Sequence, residues 1–332
     1  MTEALKRLTG GYFGTRRADF FPPAFIDHLK NERGFMDITA GTGQFPYRVV
    51  TELQKPVTLY ERCPYVAFLL SSVFSSSKQL LMATDFRSEG FLTKKVAEGY
   101  YDGVFSPEVQ RYYDGMALAY EDDSAVLYAL GKSIVRFFSF RGRNFVRYQA
   151  NGHFTTYITP EQIHAFVLKT LGVIADLRRQ VKQKCLVRMG DSRQLLKDEA
   201  PEVIKGMVCY ADPAWPWAKE YGGANSNPYK FFSEDLSSIL SQEELKTSGN
   251  LWLRSGGSEI IFDDVKAWID TAFEKGASKF ILCTQDTNYP AIEEVLTFVK
   301  ERYKLFDEIT IDDWSASANR EHKNYWLFLK PR

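Results

Sequence analysis

The sequence predicts an α/β protein whose core is a mostly parallel sheet with helices between the strands. Two observations lead to this class. Five short apolar segments each end in a polar or glycine turn, as central buried parallel strands do, at 34–40, 57–62, 184–190, 206–212 and 278–286. Two more apolar segments, 305–314 and 324–330, are separated only by a polar loop. This last pair predicts an antiparallel C-terminal hairpin.

Helix signals lie between the predicted strands. A proline in the first turn begins the helix predicted over 64–75. Thr159 and Gln162 form a capping box around Pro160, and apolar periodicity then continues to about Gln183. Two further helices are predicted over 262–275, where Gly276 follows as the terminator, and over 290–303.

Composition excludes several classes of protein. The 332 residues include 42 Lys and Arg and 42 Asp and Glu, so contact with a polyanion requires a local basic patch. The four cysteines stand singly without metal-ligand spacing, which predicts buried free thiols rather than a zinc site. The chain shows no signal-peptide pattern and no apolar run of 18 residues, which predicts a cytoplasmic protein without a membrane span.

Residues 85–158 break the alternation of strands and helices, which predicts an inserted subdomain. Between Lys132 and Tyr148 there is no acidic residue, and phenylalanines alternate with basic residues. Such a segment suits nucleic acid, because arginines bind phosphates and aromatic rings stack on bases. The alternative is a solvated basic face over a small aromatic core. The basic residues in question are Lys132, Arg136, Arg141, Arg143 and Arg147.

The segment from Asp37 to Gly43 is a strand end that runs into a glycine turn before a helix. Glycines allow close approach of a ligand, and a helix N-terminus offers unpaired N–H groups. The next strand ends in Glu61, the position where doubly wound folds bind ribose hydroxyls. The alternative for Glu61 is a surface charge paired with Arg62. The sequence contains no GxxxxGK[ST] motif, which excludes a P-loop nucleotidase.

A second polar motif, Asp212-Pro213-Ala214-Trp215, follows the apolar segment at 206–211. The strand brings the aspartate to the carboxyl edge of the sheet, where ligands of open α/β sheets bind. A base flipped out of a duplex can be bound by such a set, because the carboxylate and the main-chain carbonyl accept its amine protons and the aromatic ring stacks on it. The alternative is a proline-rich turn with buried tryptophans.

In their order along nearly the whole chain, these motifs resemble the Dam-like DNA adenine methyltransferases. The similar segments are the paired glycines with the helix that follows (10–29), the glycine turn (37–45), the acidic strand end (59–74) and the insert signature (147–159). They continue with Met189 to Ser192 (189–192), the Asp-Pro motif (212–215) and the next strand end (283–286). The resemblance implies a class I methyltransferase (Rossmann-like) fold. Its catalytic domain would comprise 1–84 and 159–332, with a target-recognition subdomain inserted at 85–158.

The same resemblance implies methyl transfer from S-adenosylmethionine to the N6 amine of a flipped adenine in double-stranded DNA. Asp212 and the Pro213 carbonyl would accept the protons of the amine, and Trp215 would stack on the base. The residues implied in cofactor binding are Gly11, Tyr12, Asp37, Ala40, Gly41, Thr42, Gly43, Glu61, Asp191 and Asp212. Those implied in DNA contact are Lys132, Arg136, Arg141, Arg143, Arg147, Tyr148 and Asn151.

Within the cofactor set, the resemblance assigns the ribose hydroxyls to Glu61 and the adenine amine of the cofactor to Asp191. It implies no metal ion. It also implies a prokaryotic or phage origin, with a cognate restriction endonuclease as partner where the enzyme serves a restriction–modification system.

The sequence departs from the family pattern at five positions, which are Tyr12 in place of lysine, Ala214 in place of proline, Trp215 in place of tyrosine, and Gln149 and Thr155 in place of asparagine. These departures leave two alternatives open. One is an amino-methyltransferase acting on cytosine N4 or on RNA adenine. The other is a catalytically idle module of the same fold that binds DNA or a partner. A dinucleotide-dependent oxidoreductase is disfavoured by the incomplete GxGxxG pattern.

Overall fold

The computed structural model describes residues 4, 5, 8, 23–75, 89–101, 103–139, 144–146, 158–213, 231–246, 262–286, 291–315 and 320–332. The chain divides into two compact units. The α/β unit comprises Ala18–Arg62, Gln183–Gly223 and Ser248–Arg332, and the helical unit comprises Met1–Arg17, Cys63–Lys182 and Ala224–Thr247. The predicted insert at 85–158 lies within the helical unit, which also includes residues on both sides of it.

The described strands are β1 Gly34–Asp37, β2 Val57–Glu61, β3 Leu186–Met189, β4 Met207–Ala211, β5 Lys279–Gln285, β6 Lys304–Ser315 and β7 Arg320–Lys330. They form one seven-stranded sheet in the order β3-β2-β1-β4-β5-β7-β6. The first five strands are parallel to one another, and β7 is antiparallel to both β5 and β6. The predicted parallel sheet with an antiparallel C-terminal hairpin is confirmed.

The described helices are α1 Pro23–Asp27, α2 Gln44–Glu52, α3 Pro64–Phe74, α4 Phe91–Ala97, α5 Pro107–Ala119, α6 Ser124–Phe138, α7 Pro160–Arg178, α8 Ser192–Asp198, α9 Pro201–Ile204, α10 Ser237–Ser241, α11 Phe262–Glu274 and α12 Ile292–Arg302. A π-helical segment, Phe231–Leu236, directly precedes α10. Helices α3 to α7 and α10 belong to the helical unit, and the other helices belong to the α/β unit.

Strands β1, β2 and β4 are buried on both faces of the sheet, which explains why their sequences are mostly apolar. On one face, strand residues such as Cys209 and Phe280 pack with Trp268 of α11 and Val295 of α12. On the other face, Phe25 and its neighbours form edge-to-face ring contacts, with centroid distances of 4.7 Å for Phe25–Phe45, 5.8 Å for Phe25–Tyr210 and 5.5 Å for Phe25–Phe328.

Strand β3 corrects one prediction. The segment 184–190 forms a strand as predicted, but it is not a buried central strand. Arg188 and Met189 are exposed, and Met189 keeps 56% of its surface accessible. The reason is topological, because β3 lies at the edge of the sheet and pairs only with β2.

Helix α7 begins as its sequence predicts. The Thr159 side chain accepts a hydrogen bond from the Gln162 main-chain N–H, and the Gln162 side chain accepts one from the Thr159 N–H at 2.9 Å. The helix ends at Arg178, several residues before the predicted end near Gln183. The start is specified by local side-chain chemistry, whereas no comparable stop signal lies at the end.

The helical unit packs around stacked aromatic rings. Tyr65 stacks on Tyr128 at a centroid distance of 4.9 Å and on Phe232 at 5.4 Å. A Cβ atom at Gly131 would lie 2.6 Å from the Tyr65 ring, so the close approach of α3 and α6 requires a glycine there.

A buried carboxylate organises the start of α4. Asp114 of α5 is 0% exposed and accepts main-chain N–H groups from Gly90 at 3.1 Å, Leu92 at 2.9 Å and Thr93 at 2.8 Å. The Gln242 side-chain amide donates to it at 3.2 Å. These bonds satisfy N–H groups that have no partner within the helix itself.

We therefore expect Asp114→Asn to destabilise the protein by about 2 kcal/mol, because an amide NH₂ would face two of these donors. Urea denaturation followed by circular dichroism measures the change. The matched control is Asp176→Asn on the exposed face of α7, which should alter the free energy of unfolding by less than about 0.5 kcal/mol. Equal stabilities of the two variants would contradict the proposed importance of the Asp114 network.

All four cysteines are buried and free, as predicted. Over the described residues, no helix combines the length and the apolar character that a membrane crossing requires.

Candidate active site at the carboxyl edge of the sheet

The carboxyl ends of three adjacent strands bring three acidic residues to one edge of the α/β unit. Asp37 ends β1, opposite Leu59 of β2 and Tyr210 of β4. Glu61 and Asp212 each lie two residues beyond those partners, at the ends of their own strands. The structure thus brings together the predicted catalytic aspartate and two of the predicted cofactor-binding carboxylates.

The predicted glycine turn follows β1 directly. Gly41 and Gly43 have φ values of 51° and 69°, in the left-handed region where glycine is favoured. The Gly43 N–H donates to the Ala40 carbonyl at 3.0 Å, and Gly43 immediately precedes α2. Thr42 is buried within the turn, at 3% exposure. The turn therefore joins a strand end to a helix N-terminus, the arrangement that can receive a polar ligand.

The charges of Asp212 and Glu61 act on Asp37 at this edge. Burial raises the pKa of Asp37 well above its usual range, and the charges of Asp212 and Glu61 add to the rise. Asp37 is 3% exposed and Glu61 is 8% exposed. The alternative that Glu61 is a surface charge is therefore wrong. The edge favours a ligand that carries positive charge or presents hydroxyl groups to carboxylates.

Thr39 is a site residue that the sequence analysis did not identify. Its hydroxyl oxygen accepts a hydrogen bond from the Asp212 main-chain N–H at 2.7 Å. Its own N–H donates to Asp37 Oδ1 at 3.0 Å. The signal that could have found it is a threonine two residues after an aspartate, a spacing at which main-chain N–H and carboxylate commonly pair.

Asp191 has a structural role in addition to the predicted one. Its carboxylate caps α8 by accepting the Arg193 N–H at 2.9 Å, and it pairs with the Arg193 guanidinium at 2.5 Å. Arg62 Nη1 lies 3.9 Å from the same carboxylate. The hydrogen bond from the Arg193 side chain holds the pKa of Asp191 below its usual range. Contact with a cofactor adenine stays a prediction for this residue.

In the helical unit, two of the predicted DNA-contacting residues lie on α6. Arg136 is exposed, whereas Lys132 is half-buried and burial lowers the pKa of its ammonium group to about 8. Phe138 and Phe145 pack on Phe105 at 4.7 Å and 5.5 Å, so these two rings belong to an aromatic cluster. For these phenylalanines the structure agrees with the alternative of a small aromatic core.

The remaining predicted site residues lie outside the described part of the chain. They are Trp215 of the catalytic motif, Gly11 and Tyr12 of the cofactor set, and Arg141, Arg143, Arg147, Tyr148 and Asn151 of the DNA-contacting set. The Asp-Pro motif is thus described at Asp212, which is half-buried, and at Pro213, which is buried.

Within the described ranges, no group of three or more His, Cys, Asp and Glu side chains has the arrangement of a metal site. This edge offers hydrogen-bond acceptors, which are carboxylates, a threonine hydroxyl and main-chain carbonyls beside a glycine turn. No protein-family model matches the chain, and no curated protein or solved structure matches it either.

Proposed function

We propose that this protein is an S-adenosylmethionine-dependent DNA methyltransferase that acts on the N6 amine of a flipped adenine. The observation that carries the proposal is the hydrogen bond from the Asp212 N–H to Thr39, two residues before Gly41. It fixes the start of the Asp-Pro motif beside the glycine turn. An acceptor pair for an amine and a loop suited to the methyl donor thus lie at one edge.

The sheet supports the same proposal. Its first five strands follow the order 3-2-1-4-5 of doubly wound nucleotide-binding folds, in which ligands bind outside the carboxyl ends of the strands. The antiparallel pairing of β6 with β7 agrees with the antiparallel C-terminal hairpin of the predicted fold.

The chain's own residues fit the proposed cofactor. Gly41 and Gly43 carry no side chain that would keep the methionine part away from the main chain. Glu61 is an acceptor for ribose hydroxyls, and a cationic ligand would favour the ionised form of Asp37, whose pKa is raised by burial. S-adenosylmethionine brings a methyl group already activated on a cationic sulfur.

In the proposed reaction, Asp212 and the Pro213 carbonyl accept the two protons of the adenine amine in hydrogen bonds. These bonds turn the nitrogen lone pair out of conjugation with the ring. As the bond from nitrogen to the methyl carbon forms, the bond from that carbon to sulfur breaks, and the displaced sulfur keeps the electron pair. One amine proton passes by way of Asp212 to water. Positioning supplies most of the rate enhancement, because the methyl group is already activated.

The proposal is tested by incubating the purified chain with S-[methyl-³H]adenosylmethionine and double-stranded DNA amplified in vitro, which carries no methylated bases. We expect label in the DNA, and mass spectrometry of its nucleoside digest should show N6-methyladenine. N4-methylcytosine would identify the cytosine alternative. Unlabelled DNA, together with no binding of S-adenosylmethionine by calorimetry, would support the idle module.

The two described basic residues of α6 give a matched test of DNA contact. We expect Arg136→Gln to lower the slope of log K against log salt concentration by about 0.9, the value for one lost phosphate contact. Lys132→Gln should change the slope less, because Lys132 is half-buried. Fluorescence anisotropy with labelled duplex DNA measures both slopes. An unchanged slope for Arg136→Gln would remove this residue from the DNA surface.

A further inference from the structure

The hydroxyl of Thr39 occupies a fixed position in the α/β unit. On its N-terminal side, the Ile38 N–H donates to the Tyr210 carbonyl of β4 at 2.9 Å. On its C-terminal side, the Ala40 N–H donates to the Tyr60 carbonyl of β2 at 3.1 Å. The main chain at Thr39 is therefore held by the strands on both sides of β1.

The side chain of Thr39 is restricted as well. Threonine is branched at Cβ and has few accessible χ1 rotamers. Its main-chain N–H donates to the buried carboxylate of Asp37 at 3.0 Å, and its hydroxyl oxygen accepts the Asp212 N–H at 2.7 Å. The three residues form a continuous chain of hydrogen bonds from β1 to the end of β4.

This chain restrains Asp212 from its N-terminal side, and Pro213 restrains it from the other. A residue before proline is confined to extended main-chain conformations, and the proline ring fixes its own φ near −65°. The main chain of Asp212 is thus held at both ends. Its carboxylate and the neighbouring Pro213 carbonyl are the two acceptors that the proposed reaction requires.

We propose that Thr39 is a positioning residue of the transfer reaction, fixing through the Asp212 main-chain N–H the place at which the acceptor amine is bound. This inference rests on the proposed function and adds a residue that the sequence motifs do not assign. Thr39 itself contacts no reacting atom. Its effect should therefore appear in turnover rather than in donor binding.

The test compares Thr39→Val, which keeps the shape and removes the hydroxyl, with Thr39→Ser, which keeps the hydroxyl. Methyl transfer to DNA amplified in vitro and calorimetric binding of S-adenosylmethionine are measured for each. We expect kcat of Thr39→Val to fall about 100-fold, the cost of a misplacement of about 1 Å. The Kd for S-adenosylmethionine should change less than about threefold, roughly 0.7 kcal/mol. Thr39→Ser should restore kcat to within about fivefold, a loss of roughly 1 kcal/mol at most.

The matched control is Thr284→Val at the end of β5. Thr284 is buried, and its hydroxyl has no hydrogen-bond partner among the described residues, so kcat should not change. Hydrogen exchange at the Asp212 amide adds a readout that needs no turnover. We expect faster exchange in Thr39→Val than in the unaltered chain or in Thr39→Ser.

Two results would overturn the inference. One is an unchanged kcat in Thr39→Val, and the other is a loss of donor affinity as large as the loss of kcat. If Thr39→Val does not fold, Thr39→Ala replaces it in the same assays. If the unaltered chain transfers no methyl group, the proposed function fails, and the role of Thr39 in turnover fails with it. Failure of the inference alone would leave wild-type transfer intact.

Discussion

Replacing Asp212 by asparagine should reduce methyl transfer by roughly 10²- to 10⁴-fold, while S-adenosylmethionine still binds. The isosteric amide keeps one oxygen but loses the charge and the second acceptor. The adenine amine would then lack one strong acceptor at the moment its nitrogen changes geometry. The hydrogen bond between the Asp212 N–H and Thr39 involves only the main chain of residue 212, so the fold of the edge should survive.

Single-turnover rates with labelled donor, and calorimetry of donor binding, separate the two effects. The control variant is Asp286→Asn, which neutralises an exposed carboxylate just beyond β5 in the same unit. It should leave the rate within about twofold, or roughly 0.4 kcal/mol in the barrier. An Asp212→Asn variant with the wild-type rate would eliminate Asp212 from the mechanism, even if methyl transfer itself is observed.

All seven strands of the α/β unit were predictable because each is specified locally by an apolar run. In the helical unit, Pro160 with its capping box predicted the start of α7. The place of a strand in the order of the sheet is not specified by the residues of that strand. The exposure of Arg188 and Met189 depends on β3 lying at an edge, and no residue of that strand specifies which neighbours it will have.

Residues of the candidate site were predictable where an acidic side chain lies at the end of an apolar strand, as at Asp37, Glu61 and Asp212. The local pairing of Thr39 with Asp37 could have been predicted, but its contact with Asp212 could not, because Asp212 is 173 positions away in the sequence. The pairing of Asp191 with Arg193 was missed for a different reason. The sequence shows a carboxylate and a nearby arginine, but it does not show that the same carboxylate also caps α8.

The raised pKa of Asp37 has consequences for both stability and binding. Its causes are burial first, then the charges of Asp212 and Glu61, while the hydrogen bonds from Thr39 act in the opposite direction. A carboxyl whose pKa is higher in the folded state binds its proton more tightly there. Its contribution to stability is therefore full below the unfolded-state pKa of about 3.9 and is lost as pH rises through the folded-state pKa.

The raised pKa of Asp37 should also make ligand binding depend on pH. A sulfonium cation at the edge favours the ionised form of Asp37, so its binding releases a proton and becomes tighter as pH rises through the raised pKa. S-adenosylhomocysteine, the product without the positive charge on sulfur, lacks this attraction. The affinity ratio of donor to product should therefore increase with pH.

Asp37→Asn should abolish that dependence. The amide oxygen can still accept the Thr39 N–H, so the turn is retained, but the charge is lost. A unit charge within one site contributes about 2–3 kcal/mol at an effective dielectric constant near 20, which is roughly 30- to 150-fold in Kd. We expect such a loss for S-adenosylmethionine at pH values above the raised pKa of Asp37, and little change for S-adenosylhomocysteine.

The same variant should be at least as stable as the parent at pH 8, because the cost of a buried charge is removed. Calorimetry in buffers of different ionisation enthalpy measures the released proton, and urea denaturation at pH 5 and pH 8 measures the stability. Equal loss of affinity for both ligands would mean that the Asp37→Asn substitution has disturbed the shape of the turn. Proton release that persists in the variant would mean that Asp37 is not the group that loses a proton on binding.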